Sequence, residues 1–370
     1  MILRPDADRV FGGDTVVMTQ LSAALRALGV DVVLGREDEM PPASEFDLAH
    51  LFDVTPPDHA RRMAAWARAG GIPIVYSPLY HNDFRGLFSR AIARVPRWKS
   101  LVRALGRERA WQIYRAWQTA RLPLQPSWRM MRAAILSADV IATTSRWENG
   151  FVAGHFRLPA QVRSQMRLSR FGVDTGLYGR NYAEEELAAF RARYDLAPAY
   201  VVEVARIESK KGQLALIEAL WHDPIDLVFV GSVSPHFEPD YAERCREAGR
   251  RRGRVRFLGW LPKAELPLAY AAAGAHVLPS WFELPGLVSI EAGASGTRIV
   301  STQISPLSEM LGDQASYCDP YDPESIRTAV LSALERPVPP GLREMLLARF
   351  GWDEAARVNL TLYESILQAR

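Results

Sequence analysis

The chain has 370 residues, of which 48% are hydrophobic and 24% are charged, with a net charge of +3. This composition excludes a disordered or fibrous protein, and the length favours two domains over one. The two cysteines, Cys245 and Cys318, are too few for a disulfide framework. No apolar run approaches the ~20 residues of a membrane span, and the N-terminal stretch lacks the apolar core of a secretory signal. We therefore expect a cytoplasmic protein.

Short apolar runs alternate with longer amphipathic stretches, which predicts βαβ units and parallel sheets. In the first half, strands are predicted at DVVLG, DLAHLF, IPIVYSP and DVIATTS. In the second half, they are predicted at AYVVEVARI, IDLVFVGS, VRFLGW, AHVLPS and TRIVST. The polar stretch of residues 178–198 contains or borders a linker, and the last residues form a terminal helix. The fold class is therefore α/β, with two parallel-sheet modules in series.

The first candidate site lies where Gly12 and Gly13 precede an amphipathic helix. Glycines let backbone N–H groups approach a ligand closely, and a helix N-terminus favours anions. A tight turn would explain the same pair. The pattern is not the G-x-G-x-x-G of a dinucleotide fold.

A second candidate is basic: Arg206 follows a predicted strand, and Lys210, Lys211 and Gly212 begin the next helix. Positive charges before a helix N-terminus oppose the helix dipole, so they suit a bound anion. Arginine supplies forked donors and lysine a point charge, which fits the two phosphates of a diphosphate. The alternative is a solvated basic loop.

The third candidate holds two acids, Glu283 and Glu291, in an otherwise nearly uncharged run. We expect Glu283 on a loop and Glu291 about two turns into a helix that begins at Gly286. The amides of Gly286, Leu287 and Val288 would then be available to a phosphate. A structural salt bridge is the alternative for Glu291.

Among seven histidines, His81 is the best placed to contribute to a site, because it directly follows a predicted strand. His50 is the second. No spacing typical of a metal site joins the histidines, so no metal is predicted.

Together these motifs resemble the retaining GT-B glycosyltransferases of the family 4 type. The resemblance rests on FGGDTVVMTQLSAALRALG, FGVDTGLYG, ARIESKKG and FLGWLPKAELPLAYAAAGAHVLPSWFELPGLVSIEAGASG, in this order, and on YESIL near the end. The seven residues between Glu283 and Glu291 are its most specific mark. Two departures, Phe171 in FGVD and Thr297–Arg298 in GTR, lie beside the donor site and leave the base and the sugar open.

The resemblance implies a GT-B fold, in which two Rossmann-like domains with parallel sheets face each other across a central cleft. The implied domains are residues 1–178 on the acceptor side, with a basic helical insertion at about 85–132, and residues 179–352 for the nucleotide-sugar donor. Residues 353–370 would form a helix that returns to the N-terminal domain.

The resemblance also implies roles for single residues. Arg206 and Lys211 would bind the donor diphosphate, and Glu291 would accept hydrogen bonds from the ribose. Glu283 would contact the donor sugar and stabilise positive charge at the anomeric carbon. Gly13, as a donor-binding residue, and His81, as a catalytic residue, would complete the site near the transferred sugar and the acceptor. The donor would be a nucleotide diphosphate sugar, the acceptor a glycan or lipid-linked molecule, and neither a metal nor another cofactor is expected.

Residues 85–132 contain twelve Lys and Arg against one acid, so they carry +11 while the rest of the chain carries −8. Tryptophans and other aromatics lie among these cations. Basic amphipathic helices with aromatics bind anionic membrane surfaces, which would suit a peripheral enzyme at the inner membrane face. Alternatively, the aromatics pack within their own domain. Nucleic acid is not expected, since the remaining surface is acidic and no recognition motif occurs.

Two other function classes remain open. A nucleotide-dependent oxidoreductase is disfavoured by the missing glycine fingerprint. A catalytically idle sugar-nucleotide-binding protein is disfavoured by the presence of all four charged site residues, Arg206, Lys211, Glu283 and Glu291.

Overall fold

The computed structural model describes residues 1–3, 13–81, 84–233 and 239–369. It divides into an N-terminal unit, residues 1–172 with 352–370, and a C-terminal unit, residues 173–351. Each unit has its own hydrophobic core around a parallel sheet. The fold class predicted from the sequence, α/β with two parallel-sheet modules, is confirmed.

The N-terminal unit contains one four-stranded parallel sheet and one short strand pair. Its strands are β1 (Ile2–Leu3), β2 (Gly35–Arg36), β3 (Ala49–Phe52), β4 (Ile74–Ser77), β5 (Val140–Thr143) and β6 (Met166–Leu168). The helices among them are α1 (Gly13–Ala27), α2 (Pro57–Ala69), α3 (Phe84–Arg94), α4 (Pro96–Leu105), α5 (Arg107–Arg121), α6 (Pro126–Leu136), α7 (Arg146–His155) and α8 (Ala160–Arg163). The larger sheet has the order β3-β4-β5-β6, and every residue of β3, β4 and β5 is buried.

One predicted strand is wrong in position. The run DVVLG was expected to form a strand over residues 31–35, yet only Gly35 lies in β2. The partner strand β1 has two residues, which pair with Gly35 and Arg36. Pairing with β1 therefore sets the position of β2, and the apolar run DVVLG does not set it.

The basic insertion forms α3, α4 and α5, which surround a small hydrophobic core of their own. Phe88, Trp98, Trp111 and Tyr114 are at most 8% exposed and make tilted or edge-to-face ring contacts. The aromatics of this segment therefore pack against one another, as one of the two alternatives predicted. No helix in the described part of the chain has the length and apolar character to cross a membrane.

The C-terminal unit is built around a six-stranded parallel sheet of order β12-β11-β10-β7-β8-β9. Its strands are β7 (Tyr200–Val204), β8 (Asp226–Val230), β9 (Val255–Gly259), β10 (Ala275–Leu278), β11 (Arg298–Thr302) and β12 (Ser316–Cys318). Its helices are α9 (Thr175–Tyr178), α10 (Glu184–Arg193), α11 (Gln213–Ala219), α12 (Pro239–Arg252), α13 (Leu266–Ala271), α14 (Leu287–Ala294), α15 (Leu307–Leu311), α16 (Pro323–Glu335) and α17 (Leu342–Arg349).

The side chains of alternate β7 residues belong to two separate hydrophobic clusters, one on each face of this sheet. Val202 and Val204 belong to one cluster, and Val201 belongs to the other. A parallel sheet that is covered on both faces requires such continuous apolar strands. This explains why the strand patterns in the second half of the sequence are easy to locate.

The terminal helix α18 (Trp352–Gln368) packs against α1 of the N-terminal unit, as the sequence predicted. His50 of β3 contributes to this attachment, because its Nδ1 lies 2.6 Å from the Tyr363 hydroxyl. Its Nε2 lies 2.9 Å from Ser77 Oγ of β4. Burial holds the pKa of His50 well below its usual value, so the ring is neutral. His50 is therefore a structural residue that links two strands to α18.

Candidate active site

The loop that follows β7 carries the predicted diphosphate-binding residues Arg206 and Lys211 in the C-terminal unit. Residues 209–211 form a 3-10 turn, and Gly212 precedes α11 in a left-handed conformation with φ +89°. A Cβ atom at Gly212 would lie 2.4 Å from the carbonyl oxygen of Pro279. Both the left-handed backbone conformation and the close approach of Pro279 therefore require glycine at position 212. The loops after β7 and β10 are in contact at this position.

We expect Gly212→Ala to lower the free energy of unfolding by about 2–3 kcal/mol, since both strain and a backbone collision oppose the added methyl group. Gly253→Ala is the matched control, because Gly253 has φ +69° and open space for a Cβ atom. The control should lose about 1 kcal/mol from the left-handed conformation alone. Urea denaturation of both variants measures the difference. Equal losses would show that the close approach to Pro279 is unimportant.

The loop that follows β10 carries Glu283 and leads into α14. Its backbone is joined to the first loop, since the Trp281 amide donates to the Lys210 carbonyl at 2.8 Å. Gly286, with φ +78°, precedes the helix, which begins at Leu287. Glu291 is therefore the fifth residue of α14, a little over one turn from its start, and the predicted distance of two turns is wrong.

The N-terminus of α14 presents backbone amides that the helix does not use. The first amide with an acceptor inside this turn is that of Ser289, which donates to the Gly286 carbonyl at 3.0 Å. Within the described residues, the amides of Gly286, Leu287 and Val288 have no backbone acceptor. Such amides, together with the helix dipole, favour an anion.

Lys211 and Glu283 form an ion pair, with Nζ 2.8 Å from Oε2. The side chains are only 17% and 8% exposed. The pair joins the two loops and compensates a carboxylate that burial would otherwise destabilise. Lys211 was predicted to bind phosphate, and this structure places its ammonium on the carboxylate predicted to contact the sugar.

The other cations of the first loop share one acid. Arg206 and Lys210 each lie 3.4 Å from Glu208 Oε1, whose side chain is 6% exposed. Arg206 is one third exposed, so its guanidinium lies at the surface of the unit. The loop therefore holds three cations and one acid, and an excess of positive charge remains for a ligand.

A buried carboxyl group underlies this loop. Glu203 of β7 is 1% exposed, and its Oε1 accepts a hydrogen bond from Gln213 Nε2 at 2.8 Å. The same Gln213 amide donates to the Arg206 carbonyl at 3.0 Å. Burial raises the pKa of Glu203 well above its usual value. Sequence reasoning missed Glu203 and Gln213, although a lone Glu inside an apolar strand run is a visible signal.

The hydroxyls of two tyrosines act on Glu291. The Tyr270 hydroxyl donates to Oε2 at 3.4 Å, and the Tyr178 hydroxyl acts on the same carboxyl group by lowering its pKa. Burial raises the pKa of Glu291 to about 7, although both hydroxyls oppose this shift by stabilising the carboxylate. Among the described residues, the hydrogen-bond partner of Glu291 is a neutral tyrosine, so the alternative of a structural salt bridge does not account for this acid.

The two remaining predicted residues lie in the N-terminal unit. Gly13 is exposed and begins α1, and an added Cβ atom would meet no atom within 4 Å. Its neighbour Gly12 lies outside the described residues. His81 is exposed in the segment between β4 and α3. The roles of Gly13 and His81 remain predictions.

The structure thus brings Arg206, Lys211, Glu283, Gly286–Val288 and Glu291 together on the loops after β7 and β10 and on α14. Ligands of open parallel sheets bind at the carboxyl ends of strands, which is where both loops lie. Within the described residues, no group of three or more His, Cys, Asp or Glu side chains is arranged to hold a metal ion.

Residues 186–348 match the family model described as "Glycosyl transferases group 1". The O-antigen chain mannosyltransferase B of Escherichia coli is 26% identical over 250 residues, which cover 64% of this chain and 63% of that protein. The chain therefore spans less than two thirds of the length of this relative. The match includes the predicted site residues of the C-terminal unit, from Arg206 to Glu291, and does not include the predicted donor-binding residue Gly13 or His81.

Two solved structures are similar over nearly the whole chain. Sucrose-phosphate synthase from Thermosynechococcus elongatus has a TM-score of 0.71 at 20% identity, over 97% of this chain and 94% of that one. HepE of Anabaena, in complex with UDP and glucose, has a TM-score of 0.70 at 16% identity, over 98% of both chains. At these identities the likeness shows the fold alone. Residues 186–348 are thus similar to glycosyl transferases group 1, and the fold of the chain is GT-B.

Proposed function

We propose that this protein is a retaining glycosyltransferase that moves a sugar from a nucleotide diphosphate sugar to a glycan, glycolipid or lipid-linked acceptor. The observation that carries the proposal is the Lys211–Glu283 pair beside unused helix amides. A partly buried lysine, three amides and a carboxylate in one place suit a ligand that has a diphosphate at one end and a developing positive charge at the other. The UDP in the HepE structures supports a nucleotide ligand for this fold.

The donor is proposed to lie along the start of α14. The amides of Gly286, Leu287 and Val288 bind the diphosphate together with Arg206 and Lys211. The ribose hydroxyls donate to Glu291, one turn further along the helix.

Departure of the nucleotide builds negative charge on the diphosphate. Fixed cations and oriented amides stabilise this charge without reorganising during the reaction. The donor phosphate replaces Glu283 as the ion-pair partner of the Lys211 ammonium. The Glu283 carboxylate can then contact the anomeric carbon, where positive charge develops. Arg206, Lys211 and the helix amides thereby supply the positive charge of the site. Gly13 and His81 are proposed to contact the transferred sugar from the N-terminal unit.

The acceptor is proposed to reach the enzyme at an anionic membrane surface on the cytoplasmic side. Four of the large apolar side chains that stay exposed lie in or just after the basic helices: Leu87, Leu105, Ile113 and Leu124, at 39–71% exposure. They accompany exposed cations such as Arg97, Lys99 and Arg103. Exposed apolar residues among cations fit the interface of an anionic bilayer. A role in cell-surface polysaccharide synthesis follows from such an acceptor, and the E. coli mannosyltransferase offers a precedent.

We expect the protein to sediment with phosphatidylglycerol-containing liposomes at low salt and to be released at high salt. Neutralising Arg94, Arg97, Lys99 and Arg103 should weaken binding by several orders of magnitude, at roughly 1 kcal/mol per cation. The control removes the same charge from exposed positions of α12, at Arg244, Arg246, Arg250 and Arg251. Equal binding by both variants would contradict the proposed surface.

A panel of nucleotides tests the proposed activity. Thermal unfolding is measured with uridine, guanosine, adenosine and thymidine diphosphates, and a ligand at a hundred times its dissociation constant should stabilise by about 2.7 kcal/mol. The matching nucleotide sugars are then assayed for release of the nucleoside diphosphate. Binding without turnover across acceptors would favour an idle sugar-nucleotide-binding protein. Stabilisation by nicotinamide dinucleotides alone would favour an oxidoreductase.

A further inference from the structure

Two buried tyrosines from different helices converge on Glu291. Tyr270 of α13 is fully buried, and its hydroxyl donates to Oε2 at 3.4 Å. Tyr178, the last residue of α9, is 2% exposed, and its hydroxyl acts on the same carboxyl group by lowering the pKa of Glu291. The two rings are 6.2 Å apart between centroids at an interplanar angle of 57°. Glu291 is therefore held from two sides by neutral donors.

The charged groups around this cluster cancel one another. Lys263 Nζ lies 3.0 Å from Asp174 Oδ2, and these two act on Glu291 in opposite directions. His276 of β10 packs edge-on against Tyr270 and has its pKa lowered to about 3 by burial, so it is neutral. Among the described residues, burial is the largest influence on the pKa of Glu291 and raises it, and the two hydroxyls are the strongest influence that lowers it.

We propose that Tyr178 and Tyr270 are positioning residues that keep Glu291 in its carboxylate form for the donor ribose and thereby set the pH range of donor binding. The inference rests on the proposed function, since it assigns the ribose to Glu291. The tyrosines act through Glu291 and do not touch the donor in this proposal.

The direction of the pH effect follows from hydrogen bonding. A carboxylate accepts from both ribose hydroxyls, whereas a neutral acid has lost one acceptor oxygen to its own proton. Donor affinity should therefore rise with pH up to about 7, the pKa of Glu291, and level off above it. Removing a tyrosine hydroxyl removes a donor to the charged form, so the pKa rises and the midpoint moves to higher pH.

Isothermal titration with the nucleoside diphosphate selected by the panel, between pH 5.5 and 9, tests the proposal. Tyr178→Phe and Tyr270→Phe should each raise the midpoint by about one pH unit, which makes binding about tenfold weaker at pH 6 and leaves it unchanged at pH 9. Glu291→Gln should remove this dependence and leave only the titration of the nucleotide phosphate. The control, Tyr200→Phe, deletes a buried hydroxyl that donates to the Ala269 carbonyl at 2.8 Å, and its midpoint should equal that of the wild type.

The outcomes separate the two proposals. If the wild type binds none of the nucleotides, the proposed function fails and this inference fails with it. If the wild type binds, the proposed function stands. The positioning role is then overturned if Tyr178→Phe and Tyr270→Phe weaken binding equally at every pH, or if their midpoints equal that of Tyr200→Phe.

Discussion

Replacing Glu283 with glutamine is expected to lower the rate of sugar transfer by a factor of about 10² to 10³ while the fold stays intact. Glutamine has the same shape as glutamate but no charge to stabilise the positive charge at the anomeric carbon. The substitution also frees Lys211 from its ion pair, so affinity for the nucleoside diphosphate should stay the same or increase. The effect should therefore appear in kcat and not in donor binding.

Steady-state kinetics on the nucleotide sugar, together with titration of the nucleoside diphosphate, separates these two quantities. Glu247→Gln on the surface of α12 is the control, and its kcat should equal that of the wild type. A Glu283→Gln enzyme with undiminished kcat would remove Glu283 from the reaction.

Replacing Lys211 with methionine should destabilise the protein by about 3 kcal/mol, because Glu283 would remain buried without its compensating charge. Adding Glu283→Gln to this variant should recover much of the loss, with a coupling energy of about 2 kcal/mol in a double-mutant cycle. The two side chains are 17% and 8% exposed, so water screens their interaction only weakly.

The neighbouring Lys210 provides the matched control for this cycle. Lys210 is 40% exposed and lies 3.4 Å from Glu208, so Lys210→Met should cost less than 1 kcal/mol. Urea denaturation gives the free energies of unfolding of the four proteins of the cycle and of Lys210→Met. An equal loss of free energy of unfolding in Lys210→Met and Lys211→Met would mean that the Lys211–Glu283 pair does not join the two loops.

The sequence was sufficient to predict the central strands of both sheets, since buried parallel strands are continuous apolar runs. It also located the two loops of the candidate site, because Gly212 and Gly286 interrupt the chain where backbone conformation requires glycine. The short strand at Gly35 could not be located in this way, because a two-residue partner decides its position.

The side-chain partners within the candidate site were beyond sequence reasoning. Lys211 and Glu283 are 72 residues apart, and nothing in either motif indicates that they form a pair. Tyr178 and Tyr270 lie on different helices, and their meeting at Glu291 depends on how α9 and α13 pack against α14. The aromatics of the basic insertion were compatible with either a membrane surface or a core, and four of them form a core. The proposed membrane surface rests instead on the exposed cations and exposed apolar side chains of the same helices.

The most direct test of the proposed donor site is a crystal structure of the protein with the nucleoside diphosphate that stabilises it most. We expect the diphosphate to lie within hydrogen-bonding distance of Lys211 and of the amides at Gly286–Val288, with the ribose hydroxyls on Glu291. Lys211 Nζ should then lie further from Glu283 Oε2 than the 2.8 Å of this structure. A diphosphate bound elsewhere, or a Lys211–Glu283 pair unchanged beside it, would contradict the account.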